Sequence, residues 1–88
     1  MTRANREIIE AFAQEFDPPL TICMTSNINR RPVKDAWLAS YWDKERRIGI
    51  TAHAVKGRLH AFLECEGDGA VAEPLGQMMA RALKKASP

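Results

Sequence analysis

The chain has 88 residues, of which 45% are hydrophobic and 27% charged, and its net charge at pH 7 is +2. These values are typical of one small globular domain, so we expect residues 1–88 to form a single compact unit rather than a disordered chain. No apolar run approaches the roughly 20 residues that span a bilayer. The start of the chain, MTRANREIIEAF, is amphipathic and carries acids, unlike a secretory signal. Both features favour a cytoplasmic protein without membrane contact.

The first predicted element is an α-helix over residues 5–16. Its apolar side chains recur at helical spacing, at Ile8, Phe12 and Phe16. Either Thr2 or Asn5 is expected to cap its first backbone amides. The Asp-Pro-Pro sequence that follows ends the helix, because a residue before proline avoids the α region and proline lacks an N–H donor.

Four short segments after this helix have the alternation or the composition of β-strands. They are LTICMTS (20–26), AWLASYW (36–42), RIGITAHA (47–54) and RLHAFLECE (58–66). A loop over residues 26–34 separates the first two segments. We expect three or four of these segments to pair as an antiparallel meander.

The last two segments pair consistently around a two-residue turn at Lys56-Gly57, where glycine supplies a positive φ. This register sets Val55 opposite Arg58 and places the apolar residues of both strands on one face. The other face then carries His53 beside His60. Because side chains alternate along a strand, a shift of one residue would destroy this agreement, so the pattern predicts a hairpin.

A turn centred on Lys44-Glu45 extends the apolar face to the preceding strand, since it sets Tyr41 beside Ile48. A three- or five-residue loop at Asp43 would instead place Trp42 in the core in exchange for Tyr41. The sequence leaves this alternative open.

A second helix is predicted from about Pro74 to Lys85. Its apolar stripe consists of Leu75, Met78, Met79, Ala82 and Leu83. The predicted fold class is therefore α+β, with an N-terminal helix, a three- or four-stranded antiparallel meander sheet and a C-terminal helix. This order is similar in outline to the double-stranded-RNA-binding domain. That family places lysines at the start of its last helix, where this chain has the acidic stretch GDGAVAEPL, so membership is not predicted.

Charge is distributed unevenly along the chain. Residues 30–58 hold eight cations against three acids, whereas residues 59–76 hold four acids and no cation. In a meander, alternate loops lie at the same end of the sheet, and the last helix is expected to finish there. The first helix is expected to start at the same end, so we expect a basic pole formed by Arg3, Arg6, Arg30, Arg31, Lys34, Lys56, Arg58, Lys84 and Lys85. Such a pole would steer an anionic partner; the alternative is that charged loop tips only keep the domain soluble.

The alternation also predicts an apolar-aromatic strip on the second face of the sheet, formed by Leu38, Trp42 and Phe62. Arg47 lies opposite Trp42 in this scheme, where it could stack on the indole while it pairs with Glu66. If both helices cover the other face, the strip is exposed and marks a partner surface, which could also serve a second copy of the chain. The alternative is that one helix covers the strip as a second small core.

No residue pattern in the chain is typical of catalysis or of a bound cofactor. His53 and His60 are the best-placed metal ligands, but a zinc site needs three or four ligands and no third is evident. Cys23 and Cys65 lack metal-type spacing, and their strand positions predict buried, unreactive thiols. We expect no metal, no cofactor and no enzymatic activity; a small enzyme or metal-binding protein that uses His53 and His60 is a distant alternative.

Together these patterns favour a non-enzymatic binding protein. We expect a small accessory regulator or inhibitor that docks on a larger protein or nucleoprotein complex through the basic pole and the aromatic strip. Its size suits a phage or mobile-element product of the anti-defence type. Direct nucleic-acid binding through the basic pole is the alternative, and a homodimer fits both.

Overall fold

The computed structural model describes residues 4–67 and 69–87. The elements in chain order are α1 (Asn5–Ala13), β1 (Thr21–Ile28), β2 (Arg31–Asp43), β3 (Ile48–Val55), β4 (Arg58–Cys65), a short 3-10 turn (Gly69–Val71) and α2 (Ala72–Ala86). The strands form a four-stranded antiparallel sheet in the order β1-β2-β3-β4. The predicted α+β fold is confirmed, and the number of strands is four.

Both helices pack on the same face of the sheet, which we call the inner face. From α1, Ile8, Ile9 and Phe12 are fully buried. They share one buried cluster with four sheet residues and two residues of α2, namely Ala39, Ile50, Ala52, Ala54, Ala82 and Ala86. Helical spacing of apolar residues in both helices thus produces a core on one side of the sheet only.

The β3–β4 hairpin has the predicted register. Val55 pairs with Arg58, and His53 pairs with His60. Lys56 and Gly57 both have positive φ, at 54° and 75°, as a type I′ turn requires. The turn chemistry and the side-chain alternation therefore agree throughout this hairpin.

The β2–β3 hairpin has the predicted faces but a register two residues away from the predicted one. Tyr41 pairs with Ile50 rather than with Ile48, and Asp43 pairs with Ile48. The cause is the Asp43 side chain, whose Oδ1 accepts hydrogen bonds of 3.0 Å from the backbone N–H groups of both Glu45 and Arg46. These bonds hold a four-residue turn over residues 44–47. A shift of two residues preserves the side-chain faces, so Tyr41 stays on the inner face and Trp42 does not enter the core.

The helix boundaries differ slightly from those predicted. Helix α1 ends at Ala13 and continues only as a turn to the buried Phe16. Its N-cap residue is Ala4, which provides no side-chain cap. Asn5 is therefore the first helical residue rather than a cap, and Thr2 and Arg3 lie outside the described residues. Helix α2 begins at Ala72, two residues before the predicted start.

The β1–β2 hairpin is longer than predicted, because most of the expected loop is paired strand. Ile28 pairs with Arg31, so the loop contains only Asn29 and Arg30, both at positive φ (52° and 66°). Strand β3 ends at Val55, so the start of β2 pairs with β1 alone. We call residues 26–35 the arm; its register with the sheet shifts between Thr25 and Asn27.

Candidate functional site

The face of the sheet opposite the helices, which we call the outer face, carries exposed aromatic side chains. Trp42 is 43% exposed and Phe62 is 54% exposed, while Leu38 is half-buried. They come from β2 and β4 and flank the central strand β3. Because α1 and α2 both lie on the inner face, the predicted strip is not covered by either helix.

Gly49 allows the indole of Trp42 to lie against the sheet. These two residues are directly opposite each other in the β2–β3 pairing. A Cβ atom at position 49 would lie only 2.5 Å from Cε3 of Trp42 and would also overlap the carbonyl oxygen of Tyr41. No side chain other than hydrogen therefore fits beneath this indole, and an aromatic ring over a strand glycine is a known way to pin a sheet surface.

A cluster of three rings lies beside this strip. The ring centroids of His53 and His60 are 5.3 Å apart, and those of His53 and Phe62 are 5.8 Å apart. Partial burial of His53, helped by the neighbouring His60, lowers its pKa from the usual 6.5. Within residues 4–67 and 69–87, no group of three or more His, Cys, Asp or Glu side chains is placed to hold a metal ion.

The arm bends toward the outer face and forms the wall of a depression. This depression has a volume of about 450 Å³. It is lined by arm residues and by strand residues, among them Asn27, Asn29, Leu38, His53, Phe62 and Glu64. The bend coincides with the register shift, where the hydroxyl of Thr25 donates a 2.8 Å hydrogen bond to the Asn27 carbonyl oxygen. Irregularities of this kind sharpen the local twist of a hairpin.

A second depression, of about 520 Å³, lies further along the same face. It includes Trp42 and Gly49, and it shares Thr51 and Glu64 with the first depression. The two depressions are therefore continuous across the sheet. The outer face offers one shallow groove with an aromatic floor, the arm at one end and Glu64 in its middle.

The basic residues of the two hairpin turns lie at the same end of the sheet, as predicted. Arg31 and Lys56 line a common depression of about 440 Å³ between the arm and the β3–β4 turn. Arg30 lies at the tip of the arm, Lys34 within it, and Arg58 at the base of the turn. We call these five residues the basic end.

Asn5 fixes the arm against the β3–β4 turn. Its side-chain amide donates a 2.8 Å hydrogen bond to the carbonyl oxygen of Asp35, at the end of the arm. Its Oδ1 accepts a 2.9 Å bond from the N–H of Gly57. Asn5 is 7% exposed, and it is the buried polar residue among the described residues. One side chain thus links the start of α1 to both basic hairpins.

The terminal lysines do not join the basic end as a group. The ammonium of Lys85 lies 3.0 Å from the carboxylate of Glu15. Glu15 follows the C-terminus of α1, while Asn5 at its N-terminus contacts the two hairpins, and nine helical residues rise about 13 Å. The expectation that Lys85 lies with Lys56 is therefore wrong. Lys84 is exposed on α2.

The contact made by Arg47 also differs from the predicted one. Its guanidinium donates a 3.0 Å hydrogen bond to the backbone carbonyl oxygen of Glu66, rather than stacking on Trp42 while it pairs with the Glu66 carboxylate. Arg47 has a positive φ of 53° and lies in the turn before β3, so the side-chain alternation of the strand does not extend to it. The cation–π contact on an indole is made instead by Arg6, 5.2 Å from the ring of Trp37 on the inner side.

The two cysteines are both exposed, so the prediction of buried thiols is wrong. Cys23 lies on the edge strand β1, and Cys65 is the last residue of the other edge strand, β4. Sequence reasoning also missed Asn5, Gly49 and the arm as parts of the site. The glycine within RIGITAHA was an available signal, because a glycine inside a strand often marks a close approach.

No helix among the described residues is long and apolar enough to cross a membrane. The chain matches no protein-family model. Comparison with curated proteins and with solved structures also finds no significant match.

Proposed function

We propose that this chain is a non-enzymatic binding protein that docks on a larger protein or nucleoprotein partner through the groove of its outer face. In this role it acts as a small accessory regulator or inhibitor. The observation that supports the proposal best is the exposed pair Trp42 and Phe62 on a sheet face that neither helix covers. Exposed aromatic side chains that line one groove are typical of interaction sites.

Trp42 has the properties of an interface anchor. Tryptophan is enriched among the residues that dominate binding energy. Its indole is already held against Gly49, so little side-chain freedom remains to be lost when a partner covers it. Phe62 lies on β4, across β3 from Trp42, and adds a second aromatic side chain to the groove.

The charges around the groove define the kind of partner that fits. Arg31 and Lys56 lie at the arm end, whereas Glu64 lies in the middle beside the aromatic floor. A protein surface with an apolar ridge and a carboxylate at one end would complement both features. A nucleic-acid backbone laid along the whole groove would bring phosphates close to Glu64, which is unfavourable.

Direct nucleic-acid binding at the basic end is the second candidate. It is favoured by the common depression that Arg31 and Lys56 line, since clustered cations are the usual phosphate contacts. A gel-shift titration at low and at high salt decides between the candidates. Phosphate contacts make affinity fall steeply with salt, by a slope of about −0.9 per contact for duplex DNA. No shift at low salt removes this candidate.

Two groove variants and one matched control variant test the leading proposal. Trp42→Ala and Phe62→Ala remove the groove floor, while Tyr41→Ala removes an aromatic side chain of nearly equal exposure, 42% against 43% for Trp42, from the opposite face of the same strand. Each variant is used as bait in a quantitative pull-down from cell lysate. A partner that binds the wild type and Tyr41→Ala but is lost from both groove variants supports the proposal. Identical partner sets for all four baits contradict it.

A further inference from the structure

The two edges of the sheet differ in how they are protected. Strand β4 carries the charged residues Arg58 and Glu64. Strand β1 has the sequence TICMTSNI, without a charged residue or a proline, and it pairs with β2 alone. Charges, prolines and covering elements are the usual means of blocking an edge against another strand. Among the described residues, Thr21–Ile28 include no charged residue and no proline, and β1 pairs with no strand other than β2.

The hydrogen-bond pattern of the sheet identifies which backbone groups of β1 face the open side. Val55 and Arg58 flank a two-residue turn and therefore exchange both of their hydrogen bonds. The 2.8 Å bond from the Glu66 N–H to the Arg47 carbonyl continues this alternation to the far end of the hairpin. Every second residue of β3 therefore bonds to β4, and the residues between them, such as Ala54, direct their N–H and C=O groups to β2.

The same alternation continues from β2 to β1. Trp37 pairs with Ala54, so Trp37 and Ala39 bond to β3, and Leu38 bonds to Cys23 of β1. The N–H and C=O groups of Ile22 and Met24 consequently point to the open edge. Met24 is also the most exposed of the large hydrophobic residues described, at 64%.

We propose that β1 pairs with β1 of a second copy of this chain, antiparallel, with the twofold axis at Cys23. In this register Ile22 of each copy lies opposite Met24 of the other. These pairs exchange all of the outward backbone hydrogen bonds of Ile22 and Met24. The two four-stranded sheets become one continuous sheet, and their outer faces lie side by side.

The residues that face each other across the two copies favour this register. Ile22 and Met24 are apolar and share the inner side of the strand, so the pairing covers the exposed Met24. Thr21 lies opposite Thr25 of the second copy, and such threonine pairs stabilise antiparallel strands. No like charges meet, because the strand has none. A twofold axis also makes the contact self-complementary and closed, as in most homodimers.

The position of Cys23 gives the dimer a direct chemical test. Two residues opposite each other on the axis in a non-hydrogen-bonded pair are about 4.5 Å apart at Cα, which is within the range a disulfide spans. Mild oxidation with diamide removes one proton and one electron from each thiol and forms the S–S bond, while diamide is reduced to its hydrazine. We expect rapid covalent dimer formation by Cys65→Ala, which retains Cys23, and none at a comparable rate by Cys23→Ala. Cross-linking that requires Cys65 instead, or no covalent dimer, overturns the proposal.

A second experiment tests the edge without the cysteine chemistry. Met24→Lys places a charge at the open edge, while Met78→Lys makes the same change on α2, where Met78 is 36% exposed. Light scattering coupled to size exclusion should show a dimer for the wild type and for Met78→Lys, and a monomer of unchanged circular dichroism for Met24→Lys. A monomeric wild type, or a dimer that survives Met24→Lys, refutes the β1 contact. Neither result depends on the proposed partner surface.

Discussion

Replacement of Asn5 by alanine should lower the stability of the fold and loosen the arm. The Asn5 side chain makes a 2.8 Å hydrogen bond to the Asp35 carbonyl and a 2.9 Å bond from the Gly57 N–H, and it is 7% exposed. Alanine can form neither bond. Water replaces them only in part, because the contacts are partly buried.

The magnitude follows from these two bonds. A typical intramolecular hydrogen bond contributes about 1 kcal/mol net, and a buried polar group left without a partner costs about 1–3 kcal/mol. Two bonds with partly buried partners give an expected loss of about 2–4 kcal/mol in the free energy of unfolding. For a domain of this size that corresponds to a large fall in Tm, since about 1 kcal/mol shifts Tm by about 4–8 °C.

Urea denaturation followed by circular dichroism measures this loss directly. Gln14→Ala is the matched control, since it removes an exposed amide side chain at the end of the same helix and should change the unfolding free energy by less than about 0.5 kcal/mol. Equal unfolding free energies for Asn5→Ala and Gln14→Ala would refute the assignment of Asn5 as the link between α1 and the two hairpins.

Further outcomes follow from the packing of the core and the sheet and from the titration of His53. Gly49→Ala should destabilise the fold by about 1–3 kcal/mol because its methyl group overlaps the indole of Trp42, and a shift of the Trp42 indole resonances in an NMR spectrum checks the displacement. Phe12→Ala should cost about 3–5 kcal/mol in urea denaturation, since Phe12 is fully buried in the core. His53 should titrate below 6.5 in an NMR pH series because burial and His60 lower its pKa. The unfolded chain then binds the proton more tightly, so stability should fall as the pH drops through 6.5. Replacement of His60 by glutamine should raise the pKa of His53, because it removes a like charge; an unchanged titration would contradict this coupling.

The sequence was sufficient to predict the β3–β4 hairpin and the faces of three strands. Lys56-Gly57 is a strong turn signal, and alternation on both sides permits only one register. The same alternation predicted that Trp42 and Phe62 share the outer face. These features depend on local chemistry and on a period of two, which the sequence displays directly.

The remaining features depend on contacts that local patterns do not display. The β2–β3 register follows from the capture of two backbone amides by Asp43, which a count of apolar residues does not detect. The Asn29-Arg30 turn adopts positive φ without a glycine, so the sequence lacks the usual signal of a tight hairpin and predicts a loop there instead. Lys85 pairs with Glu15 because of the way in which α2 packs against α1, which is a tertiary property.

Chemical-shift mapping of the labelled protein, with and without the partner recovered in the pull-down, tests the outer-face proposal most directly. We predict that the largest amide and ring perturbations fall on Leu38, Trp42 and Phe62 and on the neighbouring arm. Perturbations confined to the exposed sides of α1 and α2, with the outer face unchanged, would contradict it.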